Sequence, residues 1–155
     1  MKKTQAIKVR LNAHRDLLAK LEALKLELQY AEELYSATKS PNYSGTPGGG
    51  GDGKRTSEPE RKTIRKLELE NRVRAKQAEI ARDWAELEPL VEKLKPIETL
   101  ILNLRYQYGE EWDEVCRAIY GRRADYELEL DRYMNRIFKA HGHALLELSG
   151  MTETE

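Results

Sequence analysis

The chain has 155 residues, room for one ordinary domain or a small domain joined to long helices, and too few for a large multidomain enzyme. Its 27 basic and 27 acidic side chains cancel, which removes the long-range attraction of nucleic acid by a globally basic chain and leaves any DNA contact to local charge. Glu, Leu, Lys, Arg and Ala dominate while Phe occurs once, a composition suited to long helices because these side chains lose little freedom there.

The single cysteine, Cys116, has no intramolecular disulfide partner, and Met1-Lys2-Lys3 leads into a charged amphipathic stretch rather than a signal peptide. No apolar run reaches the roughly 18 residues that a membrane span requires. A reducing, intracellular location is expected.

Over 7–35, Ile7, Leu11, Leu18, Leu21, Leu28, Ala31 and Tyr35 recur at helical spacing, with Leu17, Leu24 and Leu34 widening the stripe. His14 interrupts the seam where a heptad places a core residue. The stretch 36–58, with Pro41, Pro47 and glycines at 45, 48–51 and 53, lacks apolar side chains to offset the entropy of ordering and is expected to be a disordered loop. A second helix follows over 60–95, with Ile64, Leu67, Val73, Ile80, Trp84, Leu87, Val91 and Leu94 on one face and Ser57 and Glu60 as a capping box. Pro89 predicts a kink or break just before it. Two such stripes joined by a loop bury each other as an antiparallel hairpin.

Pro96 opens a third helix with Ile97, Leu100, Ile101 and Leu104 as its buried face, and Gly109 stops it. A short helix from Trp112 ends at Gly121. The last helix starts near Ala124 at the earliest and covers 136–148, with Ile137, Ala140, Ala144, Leu145 and Leu148 inward. Helix, turn, short helix, turn, longer helix is the profile of a helix-turn-helix.

Three strings carry a resemblance: Leu104-Arg105-Tyr106; Gly109-Glu110-Glu111-Trp112-Asp113-Glu114-Val115; and His141-Gly142-His143-Ala144-Leu145. With them the chain resembles short phage and prophage transcriptional regulators of the ArpU and RinA type, whose C-terminal half is similar to the promoter-reading region 4 of primary sigma factors. The specific wording is confined to 96–148. The resemblance implies sequence-specific DNA binding in a bacterial host's cytoplasm. The family passes from its second helix to its recognition helix in a few residues, whereas 121–132 here look like an insertion. Counting back from His141-Gly142 puts the reading positions on Tyr133, Asn135, Arg136 and Lys139; counting forward from Gly121 puts them on Arg122, Arg123 and Tyr126. Both sets stay open.

Arg122, Arg123, Arg132, Arg136 and Lys139 suit guanine edges and phosphates. Against them, 97–155 holds seven basic and twelve acidic side chains, and Glu127, Glu129 and Asp131 would be repelled by a duplex. The basic excess lies at Lys54, Arg55, Arg61, Lys62, Arg65, Lys66, Arg72, Arg74 and Lys76, readable as auxiliary phosphate contacts or as a solvated helix face. Gly48 to Lys54 mimics a phosphate-binding loop without the strand before it, and Arg55 stands where Ser or Thr should be. His141 and His143, two apart, face different sides of a helix and form no metal pair. Trp84, Trp112 and Cys116 read as core. No catalytic set, cofactor or metal site is expected.

The expected architecture is all-α: a coiled-coil-like antiparallel hairpin over 1–95, a sigma region 4-like helix-turn-helix over 96–148 and a disordered tail over 149–155. The expected partners are double-stranded DNA, RNA polymerase and a second copy of the chain, with no membrane. The alternatives are an oligomeric phage assembly or DNA-packaging subunit of small-terminase type and a protein-binding adaptor.

Overall fold

The computed structural model describes residues 2–38 and 58–153. Among these residues the fold is all-helical: α1 (Lys2–Thr38), α2 (Glu58–Val91), α3 (Pro96–Leu102), a π-helical turn (Asn103–Gln107), α4 (Trp112–Tyr120) and α5 (Leu130–Glu153). None of these helices is long and apolar enough to cross a membrane. The expected loop falls largely on 39–57, outside the described residues together with Ser57, Lys54, Arg55 and the Gly48–Lys54 motif.

The chain divides into two compact units, Met1–Ala19 with Glu79–Glu155, and Lys20–Ala78. The expected boundary at 95–96 falls inside the first unit, because the C-terminal helices share a core with the outer halves of α1 and α2. That core gathers Ile7 and Leu11 from α1, Trp84, Leu87 and Val91 from α2, Leu94, then Leu102 and Tyr106, then Ala144, Leu145 and Leu148 from α5. Each such aliphatic or aromatic side chain contributes about 1.5–3 kcal/mol by leaving water. A second cluster, Ile101, Val115, Cys116, Tyr133 and Ile137, joins α3, α4 and α5.

Seam positions in α1 alternate by four and three from Ile7 through Leu11 and His14, which is why the imidazole is fully buried. Its Nδ1 donates to Asp83 Oδ2 at 2.6 Å, and Arg10 holds the other oxygen of Asp83 at 2.7 Å. Burial alone would raise the Asp83 carboxyl, but the hydrogen bonds and charge of Arg10 and His14 hold it below the usual carboxylate range.

The second unit buries Leu21, Leu69 and Val73 and pairs Arg65 with Glu27 at 2.7 Å. Ile64 and Leu67, expected inside, are exposed. They precede Leu69 by five and two residues and so lie far round the helix from it.

Pro89 does not end α2, which continues to Val91. Pro89 costs only the bond to the Ala85 carbonyl, and the turn closes beyond it, with Glu92 N–H bonding the Glu88 carbonyl at 2.9 Å and Leu94 N–H the Val91 carbonyl at 3.1 Å. Thr99 Oγ1 donates to the Val91 carbonyl at 2.9 Å and so binds α3 to the end of α2. In α3 the inward face is turned by one residue from the expected one: Glu98, Ile101 and Leu102 are buried, while Ile97 and Leu100 are exposed. The π turn then adds the residue that brings Tyr106 into the core, with Tyr108 N–H bonding the Asn103 carbonyl at 2.9 Å. Residues 149–153, expected to be irregular, extend α5 because Ser149 is buried and Thr152 Oγ1 donates to the Ser149 carbonyl at 3.0 Å.

Two glycines have steric reasons. Gly109 takes φ 73° where the chain leaves the π turn against Leu18, and at Gly121 an added Cβ would stand 2.3 Å from the Arg117 carbonyl oxygen. Gly142, by contrast, lies within α5 with nothing within 4 Å of an added Cβ. Gly142→Ala is therefore expected to stabilise by about 0.5–1 kcal/mol. Gly121→Ala is expected to destabilise by about 1–3 kcal/mol. Urea denaturation of the two variants should move the midpoint in opposite directions.

Candidate functional site

The first three turns of α5 place Arg132, Asn135, Arg136 and Lys139 at spacings of three, four and seven, which is one face of a helix. All four are exposed, and they line an open groove with Glu129 and Asp131. Arg132 and Lys139 make no ion pair among the described residues, so their charge is available to an anion. Glu129 and Asp131 lower the potential at the N-terminal end of the groove, and a neighbouring hollow is lined by Glu127, Leu128, Glu129, Leu130, Asp131 and Arg132. Leu128 at its rim is 88% exposed.

Between α4 and α5 the chain makes successive turns, with Arg123 N–H to the Tyr120 carbonyl, Tyr126 N–H to the Arg123 carbonyl and Glu129 N–H to the Asp125 carbonyl. Tyr133 anchors this segment. It is buried, stacks between Tyr120 at 4.7 Å and Tyr126 at 6.2 Å, and donates its hydroxyl to Asp125 Oδ1 at 2.6 Å. That hydrogen bond pushes the Tyr133 phenol up and the Asp125 carboxyl down. Tyr133 is thus withdrawn from any ligand that lies in the groove.

Its ring does carry cations: the guanidinium carbons of Arg123 and Arg136 lie 5.9 Å and 5.6 Å from its centroid. The two alternative counts along the sequence therefore converge, because Arg123 from one set and Arg136 from the other sit on the same aromatic ring. Arg122 is exposed on the turn but makes no contact with this group. The sequence contained the pieces, but the stacking of residues ten to thirteen positions apart depends on how the turn folds.

Behind the groove, His141 is held by a 2.8 Å hydrogen bond between its Nε2 and the Tyr106 hydroxyl, and the Trp112 ring stands edge-on to it at 4.8 Å. Arg105 lies over Trp112 at 4.5 Å and donates to the Glu110 carbonyl, while Arg15 pairs with Glu111 at 2.9 Å. Burial, with Lys8 and Arg105 nearby, lowers the His141 imidazole to about 4. These contacts position α5 rather than offering a reactive group. Cys116 is buried, and burial raises its thiol above the ordinary value, which makes it a poor nucleophile.

Comparison with family models, curated proteins and solved structures gives no match for this chain.

The unfolded chain takes up a proton on His141 near pH 6.5, whereas the folded chain resists it down to about 4. The contribution of a neutral His141 is complete above pH 6.5 and is lost as pH falls through that window, by up to about 3 kcal/mol. Thermal denaturation between these pH values should show stability falling with acidity, and His141→Gln should flatten that dependence. An equal slope in the variant would place its origin elsewhere.

Proposed function

We propose that the chain is a sequence-specific DNA-binding protein, with α4, the following turn and α5 acting as a helix-turn-helix of the sigma region 4 kind. The observation that carries the reading is the exposed row of Arg132, Asn135, Arg136 and Lys139 over the first turns of α5, where a recognition helix contacts bases. Arg and Asn have the bidentate geometry for guanine and adenine edges, and Lys suits phosphate. Arg123, tied to Arg136 through Tyr133, supplies a flanking backbone contact. The nine residues between α4 and α5 exceed the three or four usual in the motif, so the approach angle of α5 differs from that of a compact motif. The resemblance to phage and prophage regulators assigns the task to transcription, with RNA polymerase as a further partner.

In this reading α1 and α2 form a long antiparallel hairpin that dimerises. Arg10 reaches Asp83 and Glu86 in one unit and Glu27 reaches Arg65 in the other, as antiparallel helices require. Leu26, Tyr30, Ile64 and Leu67 stay exposed for a second copy to cover. A dimer also doubles a weak contact, which a groove with two carboxylates at one end needs.

Fluorescence anisotropy with DNA from upstream of the protein's own gene tests both parts. Binding is expected to weaken steeply with salt, and Lys139→Ala to reduce the slope of log affinity against log salt by about one. Arg136→Ala is expected to cost about 1–3 kcal/mol on the preferred sequence and less on random DNA. Absence of binding at low salt overturns the reading. Sedimentation is expected to give a dimer, and a ring of roughly eight or more subunits would favour the DNA-packaging alternative.

A further inference from the structure

Glu98, His143 and Glu147 converge where α3 packs on α5, and one donor atom from each lies within 4.8 Å of the other two. His143 and Glu147 are four residues apart on α5 and share a helix face, while Glu98 reaches them from α3. The Nδ1 of His143 lies 2.5 Å from Glu98 Oε1 and 3.3 Å from Glu147 Oε1. Side-chain exposure falls from 48% at His143 through 32% at Glu147 to 3% at Glu98, so the cluster has a wet entrance and a dry floor.

Glu98 is the telling member. A carboxylate leaves water only at high cost unless its oxygens find partners. Oε1 faces His143, but Oε2 is buried with no hydrogen-bond partner among the described residues. The same helix leaves Ile97 and Leu100 exposed, so α3 forgoes apolar burial in a register that puts a half-satisfied anion beside an imidazole.

The geometry points to a binding site for one divalent first-row transition cation of the zinc type, held by the Glu98 carboxylate, His143 Nδ1 and the Glu147 carboxylate, with water completing the coordination. One imidazole nitrogen and two carboxylate oxygens suit such a borderline cation, whereas calcium and magnesium take all-oxygen sets. Tetrahedral zinc spaces its ligand atoms by about 3.3 Å, the separation already present between His143 and Glu147. The closer contact of His143 with Glu98 contains the imidazole N–H proton; the cation takes its place at Nδ1 while the ring, by exchange with solvent, carries its proton on Nε2 and stays neutral, and the contact opens. The orphaned Oε2 then gains a cation beside it. His141, two residues earlier, turns to Tyr106 and Trp112 and takes no part.

The test uses the full-length chain, stripped with a chelator and titrated with Zn²⁺ against a chromophoric competitor at neutral pH. One ion per chain is expected, unaffected by excess Mg²⁺. Affinity should fall at least about tenfold in His143→Ala and in Glu147→Gln, both at partly exposed positions. Circular dichroism checks the fold of each variant. Co²⁺ added to the unaltered protein should give visible d–d absorption of a nitrogen–oxygen site. Absence of stoichiometric Zn²⁺ binding, absence of the Co²⁺ bands, or unaltered affinity in the folded variants overturns the site; the first two readings need no variant.

Discussion

The first unit depends on a single shared core. Leu102, Tyr106, Ala144, Leu145 and Leu148 are closed off from water by Ile7 and Leu11 of α1 and by Trp84, Leu87 and Val91 of α2. Without those partners the C-terminal helices would expose most of their larger cluster, and the smaller one around Ile101, Val115 and Ile137 would remain alone. Hydrophobic burial is additive in area but all-or-none in a packed core, since removing one wall leaves the others facing water. The region proposed to read DNA is therefore not a separable one. Helices α1 and α2 are its walls, and the buried His14, bonded to the partly exposed Asp83 that Arg10 also holds, fixes how α1 meets α2 at that wall.

Charge is arranged to the same end. Although the chain is neutral overall, its cations are not evenly committed: Arg10, Arg15 and Arg105 are drawn into ion pairs against the core, while Arg132 and Lys139 stay in water. Each of these pairs is partly open to water and so adds little to stability. The exposed cations face an open groove and cost nothing to leave unpaired. Glu129 and Asp131 limit the attraction that groove can exert, so the proposed DNA contact rests on a few directed side chains instead of a broad positive field.

Much of the fold was legible because periodicity is a local signal. The stripes of α1 and α2, the opening of α3 at Pro96 and the stop at Gly109 follow from spacing and from two residue types with restricted or unusual backbone freedom. What misled was register. Ile64 and Leu67 look equivalent to Leu69 in composition, and Ile97 and Leu100 look better buried than Glu98, but partners distant in sequence decide which face turns inward. Pro89 does not break α2 before it, since a single lost backbone bond is carried by the turns on either side. At the candidate site, Arg136 and Lys139 were legible from residue type, and the withdrawal of Tyr133 was not, since Asp125 captures its hydroxyl only once the turn has folded. In the Glu98 cluster His143 lies 45 residues from Glu98 along the chain; the one local sign, the spacing of His143 and Glu147, is too common to single out.

α5 carries both proposals, and electrostatic magnitudes decide whether they interact. His143 follows Lys139 by four residues, about 6 Å along the helix. A divalent cation there neutralises the two carboxylates that hold it, so its effect on a bound phosphate is the removal of two negative charges. At roughly 10 Å in water each such charge is worth about 0.4 kcal/mol, and physiological salt screens it further over a Debye length of about 8 Å. The sum stays under about 1 kcal/mol, less than one base contact. A cation at Glu98 would therefore act chiefly on the packing of α3 against α5, stiffening the support of the groove, and would leave the charge of its cationic face almost as it is.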